Sequence, residues 1–211
     1  VTYVGFMNEC DTIIYCHPEK SVYNYNNWLD EDLLPLTNNV LEKKSPRNLI
    51  VLHTIGSHWY YNNHFSKPFE TFKPVTSSRV IAQCTPEEII NSYDNTVVYT
   101  DYFLDMLIQQ LEEKKAVLIY LSDHGETLGE NGTWLHAGTS AASQNPGCVI
   151  WYSERFKAKF PDKITALNKN KNRHIRTDFL FHSILNAGNI PTKVIDNRLN
   201  IFHDNSSLKT H

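Results

Sequence analysis

The sequence predicts an α/β fold built on a mostly parallel sheet, and three observations carry that expectation. Continuous apolar runs at residues 49–52, 116–121 and 147–152 read as strands buried on both faces. Between them lie stretches with apolar residues every three to four positions, the period of helices that cover a sheet. No internal repeat or low-complexity linker interrupts this alternation, so residues 1–204 read as part of one layered domain and 205–211 as a tail.

Each element has its own local signal. Residues 1–20 read as short strands and turns enriched in Tyr and Ile. Leu29, Leu33, Leu36, Val40 and Leu41 form a helical stripe within 28–44, in which Pro35 is tolerable only near a first turn or at a kink, and Ser45-Pro46 ends it. The 49–52 strand then runs into a carboxyl-end loop at 53–58. Thr85-Pro86-Glu87-Glu88 is a helix start, with Thr85 as N-cap, Pro86 at the first helical position and Glu88 closing a capping box. Behind it Tyr93, Val97, Thr100, Leu104, Leu107, Ile108 and Leu111 are expected to form one apolar face down to Lys114. The 116–121 strand ends at Asp123-His124. A last helix holds Phe179, Phe181, Ile184 and Leu185, capped by Thr177 or Asp178 and stopped at Gly188.

The bulk numbers exclude several classes. The 211 residues are 41% apolar and 20% charged, with a formal net charge of −3, which leaves no basic footprint for nucleic acid. No run approaches the ~18 to 20 apolar residues of a membrane span, and no basic-then-apolar signal segment opens the chain. Four cysteines lack zinc-ribbon spacing. Cys148 reads as a small buried hydrophobe. Cys10, Cys16 and Cys84 sit in turn-rich surroundings, where Cys10 and Cys16 are a weak candidate pair for a bridge in an oxidising compartment.

The chemistry gathers where strands end. Asp123 and His124 place a carboxylate beside an imidazole after an apolar strand, a ligand pair suited to zinc, and Gly125 lets the backbone turn. The bland alternative is a solvated turn in which Asp123 bonds backbone amides. His136 follows twelve residues later across Gly129-Glu130-Asn131-Gly132, a loop able to fold back over the strand end, although alone it reads as a surface histidine. His58 follows the 49–52 strand as His124 follows its own, and His53 is a lower-ranked rival. Together Asp123, His124, His58 and His136 outline either one closed metal site or a metal beside a pair of anion-gripping imidazoles, and zinc with phosphate or sulfate ester chemistry is the natural fit. No nucleophile is evident: there is no Gly-x-Ser-x-Gly elbow and no phosphate-cradling loop. Cys16-His17-Pro18-Glu19-Lys20 comes near the Cys-x-Pro-x-Arg signature of sulfatases, with Lys in place of Arg.

Leu52-His53-Thr54-Ile55-Gly56-Ser57-His58, Ser92-Tyr93-Asp94-Asn95-Thr96 with Tyr99-Thr100-Asp101, and Tyr120-Leu121-Ser122-Asp123-His124-Gly125-Glu126-Thr127-Leu128-Gly129-Glu130-Asn131-Gly132 occur in this order. Leu135-His136 and Phe179-Leu180-Phe181-His182 continue the series. In this it resembles the catalytic domain of bacterial phosphoethanolamine transferases that modify lipid A and core oligosaccharide, in the alkaline phosphatase and sulfatase superfamily. The resemblance spans most of residues 45–190. It implies a three-layer α/β/α sandwich, incomplete at its N-terminal side, with Asp123 and His124 as zinc ligands. His58 and His136 would grip the phosphoryl group or help hold a second zinc.

The resemblance further implies that a threonine attacks phosphatidylethanolamine and passes the group to a glycolipid phosphate, at the periplasmic face of the inner membrane, with the membrane reached through a further N-terminal region. Two departures stand out. The common His-Gly-Pro is here His58-Trp59-Tyr60-Tyr61, and the threonine and a glutamate ligand belong to a region before Val1. On that basis the 211 residues alone are expected to bind zinc weakly or not at all and not to turn over. A sulfatase or phosphodiesterase of the same superfamily, and a non-catalytic sugar-binding relative, are the alternatives; a threonine or a true Cys-x-Pro-x-Arg upstream separates the first two, and zinc content the third.

Overall fold

The structure, a computed structural model, describes residues 9–16, 29–43, 45–136 and 140–205. Helices α1 (Leu33–Leu41), α2 (Pro86–Leu111), α3 (Glu154–Lys159), α4 (Pro161–Asn170) and α5 (Phe179–Ala187) accompany strands β1 (Val117–Leu121), β2 (Thr127–Leu128), β3 (Trp134–Leu135) and β4 (Cys148–Tyr152). The chain divides into two units. One comprises residues 1–45, 50–107 and 124–145, and the other 46–49, 108–123 and 146–211.

In the first unit, α1 begins after a 3-10 turn at Asp30–Asp32, and Pro35 lies in its first turn, where no intrahelical N–H is needed. The capping box of α2 forms as its sequence dictates: Glu88 Oε2 accepts Thr85 N at 2.7 Å and Thr85 Oγ1 accepts Glu88 N at 3.2 Å. The buried face of α2 differs from the expected apolar one. It carries Ile89, Ser92, Asn95, Thr96, Tyr99, Phe103 and Leu107, while Val97 is exposed. The polar members are buried because each has backbone to satisfy. Asn95 Oδ1 accepts Thr71 N (2.9 Å) and Phe72 N (2.8 Å), its Nδ2 donates to Phe72 O (3.0 Å), and Ser92 Oγ accepts Thr76 N (2.9 Å). The helix thus fastens a segment that has no ladder of its own, which a count of apolar residues does not foresee.

The expected strand at 49–52 is a second correction. It joins neither ladder among the described residues, and Leu49 and Val51 are 70% and 59% exposed. An apolar run becomes a strand only where another backbone takes its N–H and C=O groups, and none does so in a ladder among the described residues. Both ladders of the described residues, β1–β4 and β2–β3, are antiparallel, so the expected parallel pairing is not formed among them.

The second unit holds β1 and β4, with Ile119 opposite Ile150. Alternation along the strand turns Val117, Ile119 and Leu121 to one face, where with Ile150 they pack on Phe179, Ile201 and Phe202. Removing a side chain such as Phe179 from water contributes about 2 to 3 kcal/mol. Ser153 ties this sheet to α3, its Oγ accepting Ala116 N and the helix amide Phe156 N, both at 3.1 Å. Helix α5 stops at Gly188 as expected; Lys163 donates to Asn186 O in its last turn, and Arg47 to Gly188 O and Asn189 O just beyond it. Cys148, the first residue of β4, is exposed rather than buried. Cys10 and Cys16 are free thiols. Asn205 is buried and donates to Asn197 O and Asn200 O. Residues 206–211 of the expected tail, and residues 17–20 of the cysteine motif, lie outside the described residues.

Candidate metal centre

The hairpin of the first unit builds the site. Thr127 pairs with Leu135 and Leu128 with Trp134, so the next step of that register sets Glu126 opposite His136. Their side chains meet, with Glu126 Oε2 3.8 Å from His136 Nδ1. His124 lies two residues before Glu126, and its ring packs against that of His136 with centroids 4.2 Å apart. One ligand atom from each of His124, Glu126 and His136 falls within 4.8 Å of the others.

Gly125 makes this possible. Its amide donates to Ser143 O at 2.9 Å, and a Cβ there would stand 2.0 Å from Ala142 O. The turn behind it is locked by Ser140, whose Oγ accepts Ser143 N (3.0 Å) and lies 2.8 Å from Thr127 Oγ1.

The electrostatics of the cluster suit a cation. The Glu126 side chain is 7% exposed, and burial pushes its carboxyl above the usual range against the pull of His136. Beneath it Tyr61 is fully buried; burial, and then the facing Glu126 charge, drive its hydroxyl well up. Tyr61 Oη faces the Glu126 carboxylate as its hydrogen-bonding neighbour, and among the described residues Glu126 Oε1 finds no partner in full hydrogen-bond geometry. A buried carboxylate oxygen left in this way is costly unless a cation compensates it. Two imidazoles and a carboxylate are a zinc donor set, and a 4.8 Å spread lies within side-chain rotation of the roughly 3.4 Å separations that tetrahedral bonds of ~2.1 Å require. His124 Nδ1 is 2.8 Å from Gly125 O, which assigns the N–H to Nδ1 and the lone pair to Nε2.

Of the residues singled out in the sequence, His58, His124 and His136 come together: the His58 ring lies 6.2 Å from that of His136. Asp123 is exposed at the end of the other unit and contributes no ligand atom to the three-residue cluster. His53 is exposed, its charge felt by Asp30. Sequence reasoning missed three participants. Glu126 was signalled by its two-residue spacing from His124. Tyr61 and His64, brought in by a 3-10 turn at Tyr61–Asn63, carry no such signal. The His64 ring stands edge-on to His58 at 6.3 Å, and burial lowers its pKa to about 4.

Known proteins share this arrangement of sequence and fold. The family described as Sulfatase matches residues 5–190. Phosphoethanolamine transferase EptA of Escherichia coli K12 is 38% identical over 156 residues, 69% of this chain. The soluble domain of lipooligosaccharide phosphoethanolamine transferase A from Neisseria meningitidis superposes with a TM-score of 0.76 at 32% identity, covering 82% of this chain and 55% of that one. The C-terminal periplasmic domain of phosphoethanolamine transferase EptC from Campylobacter jejuni does so with a TM-score of 0.76 at 32% identity, covering 87% and 60%. The chain spans 28% of the length of the E. coli relative. The α/β fold is accordingly the sulfatase-like one expected from the motifs. With a match over residues 5–190 and phosphoethanolamine transferases as its relatives, this chain belongs to the sulfatase family.

Proposed function

We propose that the protein carrying this chain is a zinc-dependent phosphoethanolamine transferase, taking the group from phosphatidylethanolamine and delivering it to a phosphate of lipid A or of the lipopolysaccharide core. The observation that supports this reading is the convergence of His124, Glu126 and His136, with the His58 ring beside them. His124, Glu126 and His136 would hold the metal, and the resemblance adds Asp123, the residue before His124. Three donors from this chain support zinc binding at this site, since catalytic zinc sites are commonly built on three protein ligands.

When bound, zinc supplies Lewis-acid stabilisation of the charge that builds on phosphoryl oxygens. The chain's own residues do the rest. His58, with Nδ1 committed to Trp59 O, presents Nε2 to a phosphoryl oxygen. Following the resemblance, a threonine hydroxyl outside the cluster attacks phosphorus. The threonine O–P bond forms as the diacylglycerol O–P bond breaks, and the hydroxyl proton ends on diacylglycerol. The acceptor's phosphate O–H then attacks phosphorus: its O–P bond forms as the threonine O–P bond breaks, and its proton returns to the threonine oxygen. The site is read as working at the periplasmic face of the inner membrane; no helix of the described residues is long and apolar enough to cross a membrane.

The test is the lipid A and core of cells expressing the protein, analysed by mass spectrometry. Wild type is expected to add phosphoethanolamine, and Asp123→Ala and His124→Ala to abolish the addition. Undiminished modification in both variants would overturn the assignment.

A further inference from the structure

The residues that lead into His58 belong to no helix or ladder, yet two side chains of the same unit hold them. Asp30 accepts Ile55 N with Oδ1 at 2.9 Å and Gly56 N with Oδ2 at 3.0 Å. Gly56 sits at φ +58°, a left-handed conformation glycine adopts without steric cost. One residue on, Ser57 Oγ is hydrogen-bonded at 2.6 Å to Thr96 Oγ1 on the buried face of α2. His58 comes next, its ring between those of His136 (6.2 Å) and His64 (6.3 Å).

Two consecutive amides bound by one carboxylate form a small anion nest, and a charged acceptor makes such bonds about twice as strong as a neutral one. Glycine has the widest backbone freedom of any residue, so without the clamp Gly56 would sample both signs of φ and carry His58 with it. Burial works against the Asp30 charge, and the two amides, then His53, favour it. The carboxylate spends that opposition on a turn remote from any ladder, two residues before the imidazole assigned to the phosphoryl group.

We propose that Asp30 is the positioning residue for His58: by binding the amides of Ile55 and Gly56 it fixes the left-handed turn that sets the imidazole beside His136, ready for a phosphoryl oxygen. The proposal rests on the reading of His58 as a phosphoryl-binding group. Thr96, through Ser57, is the second pin of the same turn. Displacing a binding group by about 1 Å costs on the order of 10²-fold in rate, so a loosened turn weakens the grip without removing any contact atom.

The experiment uses the whole protein that carries this chain, titrated first with zinc and then with O-phosphoethanolamine in a calorimeter. Asp30→Asn keeps one acceptor oxygen and turns an NH2 group toward the other amide. It is expected to weaken O-phosphoethanolamine binding about tenfold, and His58→Ala to do the same, with zinc affinity unchanged in both, because the three metal donors sit on the hairpin. The Asp30→Asn, His58→Ala double variant is expected to be no weaker than His58→Ala alone, since positioning a residue that is gone has no effect. In hydrogen exchange, the Ile55 and Gly56 amides are expected to be slow in the wild type and fast in Asp30→Asn. Gly56→Ala leaves Asp30 in place and meets nothing within 4 Å, yet penalises the positive φ; it is expected to weaken the probe in the same way even if Asp30→Asn fails to fold. Wild-type probe affinity in Asp30→Asn, or additive losses in the double variant, would overturn the proposal. An effect of Asp30→Asn on zinc and probe alike would reduce it to general stability. Should His58→Ala leave the probe affinity unchanged, the phosphoryl reading of His58 falls instead, and the exchange rates still decide whether Asp30 holds the turn.

Discussion

His124 and His136, twelve residues apart, stack with ring centroids 4.2 Å apart and planes inclined by 31°, and Glu126 Oε2 lies 3.8 Å from His136 Nδ1. Two imidazoles at this range repel when both are protonated, while a divalent ion draws them and the carboxylate together. Glu126→Gln keeps the shape of the side chain and removes its charge. It is expected to weaken zinc binding at least as much as the ~10- to 100-fold typical of losing an outer-shell partner. His136→Ala is expected to weaken it further, because the coordinating atom itself is lost. Competition against a chromophoric chelator reads both, and wild-type affinity in Glu126→Gln would remove Glu126 from the donor set.

Gly125 is the hinge on which this geometry turns. An alanine Cβ would meet Ala142 O at 2.0 Å, a backbone atom that cannot rotate aside. Gly125→Ala is therefore expected to cost about 2 to 3 kcal/mol, the upper part of the range for overpacking, and to lower the urea midpoint accordingly. It should also weaken zinc binding, since moving the turn of Ser140 and Ser143 displaces Thr127 and with it the start of the hairpin. An unchanged midpoint would mean that the turn closes over Gly125 less tightly than the structure shows.

The legible parts of this molecule are those written in local chemistry. Thr85-Pro86-Glu87-Glu88 announces α2 because a capping box is satisfied within four residues, and Gly188 announces the end of α5 for the same reason. His124 and His136 were also recoverable, because the Gly and Asn residues between them mark a returning loop. The 49–52 run was misread because being apolar does not provide a partner backbone. The buried face of α2 was misread because Ser92, Asn95 and Thr96 are buried for the sake of loop amides at Thr71, Phe72 and Thr76, which no periodicity reveals. Tyr61 reaches Glu126 through a 3-10 turn after His58, a path that leaves no mark in spacing.

His64 gives the fold a dependence on pH whose sign follows from burial. It is 5% exposed, and burial first, then the charges of His58 and Arg79, depress its pKa from 6.5 to about 4. The unfolded chain takes up this proton near pH 6.5, whereas the folded chain resists it until about pH 4. Stability from this group is therefore fully present above pH 6.5 and is lost as pH falls toward 4. Between pH 7 and pH 4.5 the loss is expected to be on the order of 2 to 3 kcal/mol. Urea unfolding at the two pH values measures it, and His64→Gln, which cannot titrate, is expected to remove that portion of the slope. An unaltered slope in His64→Gln would place the acid sensitivity elsewhere.

Asn95 offers the sharpest test of how α2 supports the first unit. It is 0% exposed, and its amide makes three bonds at once, accepting from Thr71 N and Phe72 N and donating to Phe72 O. Asn95→Ala leaves two amides and a carbonyl without their partner in a region closed to side-chain rescue. With a penalty of about 1 to 3 kcal/mol for each buried group so stranded, a total near 3 kcal/mol is expected after partial relaxation. Asn95→Asp preserves both acceptor bonds but sets a carboxylate oxygen against Phe72 O, and is expected to be destabilising at pH 7 and to recover in part when acid protonates that oxygen into a donor. The two variants therefore differ in their response to acid as well as in size. Urea titrations of both at pH 7 and pH 5 distinguish them, and a loss under 1 kcal/mol in Asn95→Ala would show that the 71–76 segment is held by its other contacts, such as Asn91 on Pro74 O and Ser92 on Thr76 N.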